Sequence, residues 1–159
     1  MQQENKIRKL AKNNFHMKLF MLKNLPMAFL AGLKVTNIDQ TKASVSVPYK
    51  CLNKNPFKSV YFAVLSMAAE LATGIMAMAA IHDFSVPISM LVFEMKAGFQ
   101  KKARTKITFK CIEGAQISAA VAKSIETGEG QTVEVTSIGY DTEGDVVAEF
   151  KFVWTFKPK

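Results

Sequence analysis

A single acidic residue, Glu70, lies near the middle of the most apolar stretch of the chain, Val60 to Ile81. A carboxylate that leaves water without a partner costs free energy or takes up a proton, so its position needs a reason. Ser66, Glu70 and Thr73 are spaced i, i+4 and i+7, and on a helix they would lie within about 60° of one another. Because a carboxylate can transfer a proton or attack an electrophile, this polar stripe is a candidate site for chemistry.

Two other interpretations of the stretch stay open. Glu70 can be a structural carboxylate, hydrogen-bonded by Ser66 or Thr73 where a second chain packs closely against the small residues of the helix. The stretch is also long enough to cross a bilayer, but an acidic residue at its centre is costly there and the chain has no second such segment. We therefore expect no integral membrane association.

Charge and cysteine content limit the partners and the compartment. The chain has 159 residues, enough for one domain with its own core, and its net charge is +8. Such a balance favours solubility or polyanionic partners, which include nucleic acid, anionic lipid and phosphorylated ligands. No arginine-rich face, zinc pattern or metal-ligand cluster is present in the sequence, so we expect neither nucleic acid nor a bound metal. Two lone cysteines, Cys51 and Cys111, favour a reducing compartment and hence the cytoplasm.

Helical spacing of apolar residues predicts a basic amphipathic helix at the start of the chain. It covers residues 1–24, with residues 25–159 forming a single domain. The helical pattern runs from Asn5 to Leu22, with apolar positions at Ile7, Ala11, Phe15, Leu19 and Leu22. Such a helix can bind a membrane surface, but we favour packing of its apolar face on its own domain.

The rest of the chain reads as strands around one long helix. Two short strands, "GLKVTNID" and "KASVSVPY", form a hairpin, and Pro56 and Ser59 precede the central helix, with Ser59 as its expected cap. The strand "SMLVFEMKAGFQ" is expected to pair with "TKITFKCI" across the basic turn "KKAR". A short helix, "AQISAAVAKSIETGEG", precedes a last hairpin of "QTVEVTSIGYD" and "DVVAEFKFVWTFK". This order predicts an α+β domain whose antiparallel sheet encloses the apolar helix.

Three segments carry a resemblance to a known family. "NPFKSVYFAVLSMAAE", from Asn55 to Glu70, resembles the polar loop and acidic central helix of the hotdog-fold acyl-CoA thioesterases. "GFQKKARTKITFKC" and "IGYDTEGDVVAEFKFVW" resemble later strands of that family, and the likeness extends over nearly all residues after about Lys23. The chain is most similar to the small, largely uncharacterised bacterial branch of the superfamily, a thioesterase-like domain of unknown function. The resemblance implies a hotdog fold, in which the sheet wraps around the central helix.

The resemblance also implies a reaction and its residues. Glu70 matches the acidic residue that activates water or attacks the thioester, the N–H of Phe62 matches the oxyanion donor, and Asn55 matches the loop asparagine near the carbonyl. Tyr61 could orient that carbonyl through its hydroxyl. No cofactor is implied beyond the coenzyme A of the substrate. In this family the carboxylate and the oxyanion donor commonly come from different subunits, which implies a homodimer or tetramer.

Basic residues supply candidate contacts for coenzyme A phosphates. Lys101, Lys102 and Arg104 cluster in one turn and Lys58 lies near the entrance of the helix. The other residues expected at the substrate are the three hydroxyl residues Ser59, Ser66 and Thr73. A tunnel for the acyl group is expected to be lined by apolar residues including Met67, Met76, Met78, Phe93 and Met95.

The sequence departs from the family pattern at the start of the helix. Many relatives have His-Gly-Gly where this chain has Tyr61-Phe62-Ala63, and a glycine in place of Lys58. Phe62 and Ala63 narrow the approach that glycines leave open. Thioester hydrolysis is therefore the first hypothesis, with a non-catalytic acyl-CoA or fatty-acyl binding protein as the alternative and a membrane-associated basic protein as the third.

Overall fold

The computed structural model describes residues 5–84 and 86–159, and its framework is one six-stranded sheet. The strands are β1 (Lys34–Ile38), β2 (Ala43–Val47), β3 (Ile88–Phe99), β4 (Ile107–Cys111), β5 (Gln131–Tyr140) and β6 (Val146–Pro158). They are ordered β1-β2-β4-β5-β6-β3, and every neighbouring pair is antiparallel. The α+β fold class and the antiparallel sheet are confirmed.

A long central helix, α4 (Phe62–His82), packs against this sheet. Seven of its 21 residues are alanine, the strongest helix former, and their small side chains let strands approach closely. Thirteen of the 21 residues are buried. By length and composition α4 could cross a membrane, but 72 % of its most apolar window is buried inside the fold, which is the environment of a core helix.

The first helical segment differs from the prediction. The expected continuous helix is divided into α1 (Lys6–Lys12) and α2 (Asn14–Asn24), followed by α3 (Pro26–Ala31). Asn13 has an extended backbone, and its side-chain oxygen accepts hydrogen bonds from the N–H groups of Phe15 and His16, at 3.1 and 3.0 Å. An asparagine that caps in this way starts a new helix, so the helical rotation is reset at residue 13.

This reset changes which residues face the core. Ala11 of α1 is buried as expected, whereas α2 buries Met17 and Met21. The apolar residues that the uninterrupted pattern placed inward are exposed instead, namely Phe15, Leu19 and Leu22. Their predicted packing on the domain is therefore wrong.

Helix α1 is attached to the end of α4 that is remote from Phe62. Asn5 donates from its side-chain amide to the backbone oxygen of Ala79 at 2.9 Å and to the Asp83 carboxylate at 2.6 Å. Arg8 forms an ion pair with Asp83 at 3.0 Å. These contacts hold the N-terminal helices against the domain.

The partner of β3 is also different from the expected one. β3 does not form a hairpin with β4 but pairs with β6 over nearly its whole length, from Ile88 opposite Pro158 to Phe99 opposite Ala148. β3 has 12 residues and β6 has 13, so the two strands can pair along their whole length. β4 has five residues and lies between β2 and β5. The basic segment after β3 is thus a crossover connection. β3 is left as an edge strand of the sheet.

The other predicted elements are confirmed. β1 and β2 form the first hairpin, and β5 and β6 form the last one. Helix α5 (Gly114–Thr127) ends at Gly128, whose φ of 71° is the left-handed conformation that glycine adopts at helix ends.

Candidate active site

Glu70 lies in the middle of α4, half-buried, with its carboxylate beside two depressions of the surface. One is a cavity of about 270 Å³ between α4 and the segment Asn24–Ala28. The other is a groove of about 320 Å³ along α4 that also contains Phe62, Ala63 and Ser66. Burial raises the pKa of the Glu70 carboxyl, because the charged form loses solvation. No hydrogen bond or ion pair satisfies this carboxylate within residues 5–84 and 86–159.

Gly74, one turn after Glu70, makes room for the carboxylate. A Cβ atom built on Gly74 would lie 3.0 Å from Oε1 of Glu70 and 3.4 Å from the ring of Trp154. A side chain at position 74 would therefore crowd the Glu70 carboxylate, while the indole is at ordinary contact distance. The sequence analysis missed this residue, although a glycine at i+4 from the only acid of an apolar helix was the available signal.

The two hydroxyl residues of the predicted stripe have different environments. Ser66 shares the groove with Glu70, as the spacing predicted. Thr73 is fully buried, its hydroxyl donates to the backbone oxygen of Glu70 at 3.0 Å, and it accepts the indole N–H of Trp154 at 2.9 Å. Thr73 thus fixes the helix to β6 and does not bond the carboxylate. The predicted contact of Thr73 with the substrate stays a prediction, and the buried position of Thr73 does not support it.

The loop before α4 is organised by Asn55. Its side-chain oxygen accepts hydrogen bonds from the N–H of Phe57 at 3.0 Å, the N–H of Ser59 at 3.2 Å and the hydroxyl of Ser59 at 3.1 Å. Ser59 is therefore a partner of Asn55 and not the cap of the helix, which begins three residues later at Phe62. Asn55 and Ser59 both line a large cavity at the start of α4, so the structure brings them to the same place as Tyr61 and Phe62.

Lys58 adopts a backbone conformation that favours glycine. Its φ is +57°, and among the described residues other than glycine it is the one with a positive φ. An L-residue pays about 1 to 2 kcal/mol in the left-handed region. The side chain is exposed and does not line the large cavity, although the hydroxyl of Tyr49 donates to the Lys58 backbone oxygen at 2.9 Å.

The start of α4 leaves backbone donors available. Tyr61 precedes the helix and provides no side-chain cap, while its own N–H is bonded to the backbone oxygen of Asn53. The N–H groups of Phe62 and Ala63 have no partner within the described parts of the chain. Unpaired N–H groups at a helix N-terminus attract negative charge. Phe62 lies at the wall of a cavity of about 790 Å³, which it lines together with Phe99, whereas Ala63 lies in the groove beside Glu70.

The Glu70 carboxylate and these donors are far apart within one chain. Eight residues separate Glu70 from Phe62 on the same helix, which corresponds to about 12 Å along its axis. A base and an oxyanion donor must each come within about 3 Å of the reacting groups. The axial separation is several times this distance, although the Glu70 side chain extends toward the start of the helix and the same groove contains Phe62 and Ala63.

The basic turn is only partly available to a ligand. The Lys101 ammonium contacts three carboxylates, those of Asp141, Glu143 and Asp145, at 2.6, 3.1 and 2.7 Å. These contacts raise the pKa of Lys101 and lower that of Asp141. The three acids are close enough together to hold a cation, and the ammonium occupies that position. The Lys101 ammonium is therefore paired with carboxylates, which compete with the coenzyme A phosphate predicted to bind it.

The neighbouring cations are differently placed. Lys102 is exposed and lines the large cavity beside Phe62, whereas Arg104 is exposed and outside it. The residues expected in one acyl tunnel are also dispersed in the protomer: Met67 is beside Glu70, Met76 is in the core, Met78 lines a different cavity, and Phe93 and Met95 are exposed on β3. A single tunnel is not formed by this set in one chain.

The mostly buried central helix and the six-stranded antiparallel sheet define the class of protein as a hotdog fold, and solved structures agree. A Pseudomonas aeruginosa protein of unknown function, described as a probable thioesterase, has 18% identity and a TM-score of 0.75 over 92% of this chain and 97% of its own. A thioesterase of Haemophilus influenzae has 11% identity and a TM-score of 0.66, with 92% and 91% covered. The PaaI protein of the Escherichia coli phenylacetic acid degradation operon has 15% identity and a TM-score of 0.61, with 94% of each chain covered.

The family follows from the sequence itself. The model of a domain of unknown function, DUF4442, matches residues 14–156, and the chain belongs to this family. No curated protein matches the sequence. The predicted hotdog fold and the predicted branch are both confirmed.

Proposed function

We propose that this protein hydrolyses acyl thioesters, with acyl-CoA as the substrate class and Glu70 as the catalytic carboxylate. The observation that carries the proposal is the environment of Glu70, a half-buried carboxylate with a raised pKa, no partner among the described residues, and two adjoining cavities. Perturbed acids beside cavities are typical of active sites. Structural neighbours that are named thioesterases give independent support.

The proposed reaction needs one base and one oxyanion site. The Glu70 carboxylate takes a proton from water as the water oxygen bonds to the thioester carbon, and the negative charge moves to the carbonyl oxygen. The N–H of Phe62 in the partner subunit stabilises that oxyanion. The C–S bond then breaks, and coenzyme A leaves as a thiolate without prior protonation because the thiolate is a weak base. The proton held by Glu70 passes to the thiolate or to solvent, which restores the carboxylate. Direct attack by Glu70, giving an anhydride that water hydrolyses, is the alternative first step.

A homodimer is the proposed active unit. The separation of about 12 Å along the axis between Glu70 and the start of its own helix favours a site that a second copy completes. Edge strand β3 is suited to that contact, because it is 12 residues long and exposes the apolar side chains of Leu91, Phe93, Met95 and Phe99. An exposed apolar edge of this length readily pairs with another strand. Asn55, Tyr61, Lys102 and Ser66 are proposed to contact the thioester and its coenzyme A portion.

A non-catalytic acyl-CoA binding protein is the second candidate function. The observation that favours it is the side chain of Phe62, which lies beside the free N–H groups and packs against Tyr61 with ring centroids 5.0 Å apart. Two aromatic rings at this point narrow access to the donors. The same cavity could then hold a thioester without hydrolysing it.

Thiol release from acyl-CoAs of short, long and aromatic type distinguishes these candidates. We expect wild-type protein to release coenzyme A, and Glu70→Ala and Glu70→Gln to lose activity by about a hundredfold or more, the range for removal of a general base. The matched control is Glu134→Gln, which removes an exposed carboxylate on β5 and should leave the rate unchanged. Because the Glu70 pKa is raised, kcat/KM should increase with pH through a value above that of an ordinary glutamate.

Each outcome separates the hypotheses. Hydrolysis that survives in both Glu70 variants would refute the assignment of this residue. Absence of hydrolysis by the folded wild-type protein, together with saturable binding of acyl-CoA by calorimetry, would replace the enzyme with the binding protein.

A further inference from the structure

Helix α2 is apolar on two sides, and only one of them is covered. Met17 and Met21 are buried and Phe20 packs against the core. On the opposite side Phe15, Leu19 and Leu22 are 67%, 49% and 51% exposed. These three residues are spaced i, i+4 and i+7, so they form one continuous stripe. A helix with apolar residues all round is normally buried on every side, and α2 is not.

The following helix also exposes large apolar side chains. Met27 and Leu30 of α3 are 63% and 53% exposed, and α3 packs against α2. We call the five residues Phe15, Leu19, Leu22, Met27 and Leu30 the α2–α3 face. A cluster of exposed large apolar side chains on consecutive helices marks an interaction surface.

The charge around the α2–α3 face has a single sign. Between Asn5 and Ile38 the chain has seven basic residues and no acidic residue. Two of these, Lys18 and Lys23, are exposed and lie about 70° to either side of the apolar stripe on α2. Residues 70–159, by contrast, contain 10 basic and 11 acidic residues. The positive charge of the protein is thus concentrated in the part of the chain that carries the exposed apolar stripe.

We propose that the α2–α3 face docks on an anionic lipid bilayer. Phe and Leu side chains that project outward between lysines are the pattern by which amphipathic helices enter the lipid interface, where apolar groups are buried and lysines contact anionic headgroups. Contact of the α2–α3 face with the same face of a second copy fits less well. Such a contact would place the lysines of one stripe near those of the other, and like charges across an interface are unfavourable.

Docking would also place the candidate active site close to the bilayer. Leu25, Pro26 and Met27 belong to the same segment and line the cavity that contains the Glu70 carboxylate. The proposal does not depend on thioester hydrolysis, because binding to vesicles is measured without substrate.

Co-sedimentation with vesicles tests the proposal. The full chain should bind vesicles of equimolar phosphatidylglycerol and phosphatidylcholine, and bind pure phosphatidylcholine much more weakly. The variant Phe15→Ser/Leu19→Ser removes two apolar contacts and should weaken binding about a hundredfold. Its control, Ile112→Ser, changes an apolar side chain that is 75% exposed elsewhere and should bind as wild type.

A charge-matched pair isolates the contribution of the lysines. Lys18→Gln/Lys23→Gln should bind anionic vesicles about thirtyfold more weakly, as expected for the loss of two surface lysines. Lys123→Gln/Lys157→Gln has the same net charge and changes exposed lysines on α5 and β6, so it should bind nearly as wild type. All four variants alter exposed residues, and circular dichroism verifies that they are folded.

Two results would overturn the proposal. One is that folded wild-type protein does not sediment with anionic vesicles. The other is that Phe15→Ser/Leu19→Ser binds vesicles like wild type but forms a smaller oligomer in sedimentation velocity, which would identify the face as a contact between copies of this chain.

Discussion

At the scale of single residues, Glu70 has an unfavourable position for its charge, because burial raises the pKa of its carboxyl. Gly74, one turn later on the helix, leaves room for the carboxylate. Lys58, in the loop before the helix, has a left-handed backbone that would cost a glycine nothing. Unfavourable local features of this kind are retained at functional sites more often than elsewhere.

The free energy of unfolding should be lower when Glu70 is charged. The folded state raises the pKa of Glu70, so it holds the proton more tightly than the unfolded state does. Ionisation of Glu70 therefore lowers the free energy of unfolding increasingly as pH rises from the pKa of Glu70 in the unfolded state through its pKa in the folded state. We expect Glu70→Gln to be more stable than wild type at neutral pH, with the difference disappearing below about pH 4, where unfolded glutamate is protonated as well.

Urea unfolding of both proteins across this pH range measures the difference. Glu134→Gln is the control, because this exposed carboxylate lies outside the cavities around Glu70. If Glu70→Gln and wild type are equally stable at every pH, the prediction that burial of the Glu70 charge destabilises the fold is wrong.

At the scale of elements, edge strand β3 has an unpaired side. It is hydrogen-bonded to β6 on one edge, and Phe93 is 71% exposed at an irregularity of that ladder. A lysine on an edge strand prevents pairing with another strand. We expect Leu91→Lys/Phe93→Lys to sediment as a folded monomer and to lose thioester hydrolysis, because the oxyanion donors of the second copy are absent.

The comparison variant for this experiment is Ile112→Lys, which adds a lysine at an exposed apolar position after β4. It should remain dimeric and active. If the β3 variant is still dimeric, the interface lies elsewhere. If it is monomeric and fully active, the site is complete in one chain.

At the scale of the whole molecule, the proposed active site needs two copies of the chain. Phe62→Pro removes the proposed oxyanion donor at the first position of α4, where proline is tolerated and where Tyr61 already has a ψ of 135°. Phe62→Ala is the control that keeps the N–H. Phe62→Pro and Glu70→Ala should each be inactive alone, whereas Phe62→Ala should be active.

Co-expression of the two inactive chains tests the shared site. In a random mixture half of the dimers are mixed, and each of those has one intact site, so activity should return to about a quarter of wild type. A site confined to one chain predicts no recovery. Differently tagged subunits allow the mixed dimer to be purified and assayed separately.

The predicted cytoplasmic location and the division at residue 25 stay predictions. The structure does separate an acid-free N-terminal segment from a nearly neutral remainder, since residues 5–38 lack Asp and Glu and residues 70–159 have 10 basic and 11 acidic residues. Orientation of the molecule at an anionic surface would follow from this asymmetry.

Local patterns in the sequence were sufficient for the elements and for the central acid. Alternation predicted the first hairpin, and turn residues between strong β-formers predicted the last one. A long apolar run with a single acid predicted the buried helix and the position of Glu70 on it. These properties depend on residues close together in the chain.

The tertiary structure alone decided that β3 pairs with β6. Pairing between strands about 60 residues apart in sequence depends on their matching lengths and on which sheet edges are free. It also decided that Asn13 restarts the helix and turns Phe15, Leu19 and Leu22 outward, because a single capping side chain can interrupt a pattern that remains helical on both sides. Finally, the acidic partners of Lys101 and the position of Trp154 beside Gly74 arise between distant segments, so periodicity and spacing carry no information about them.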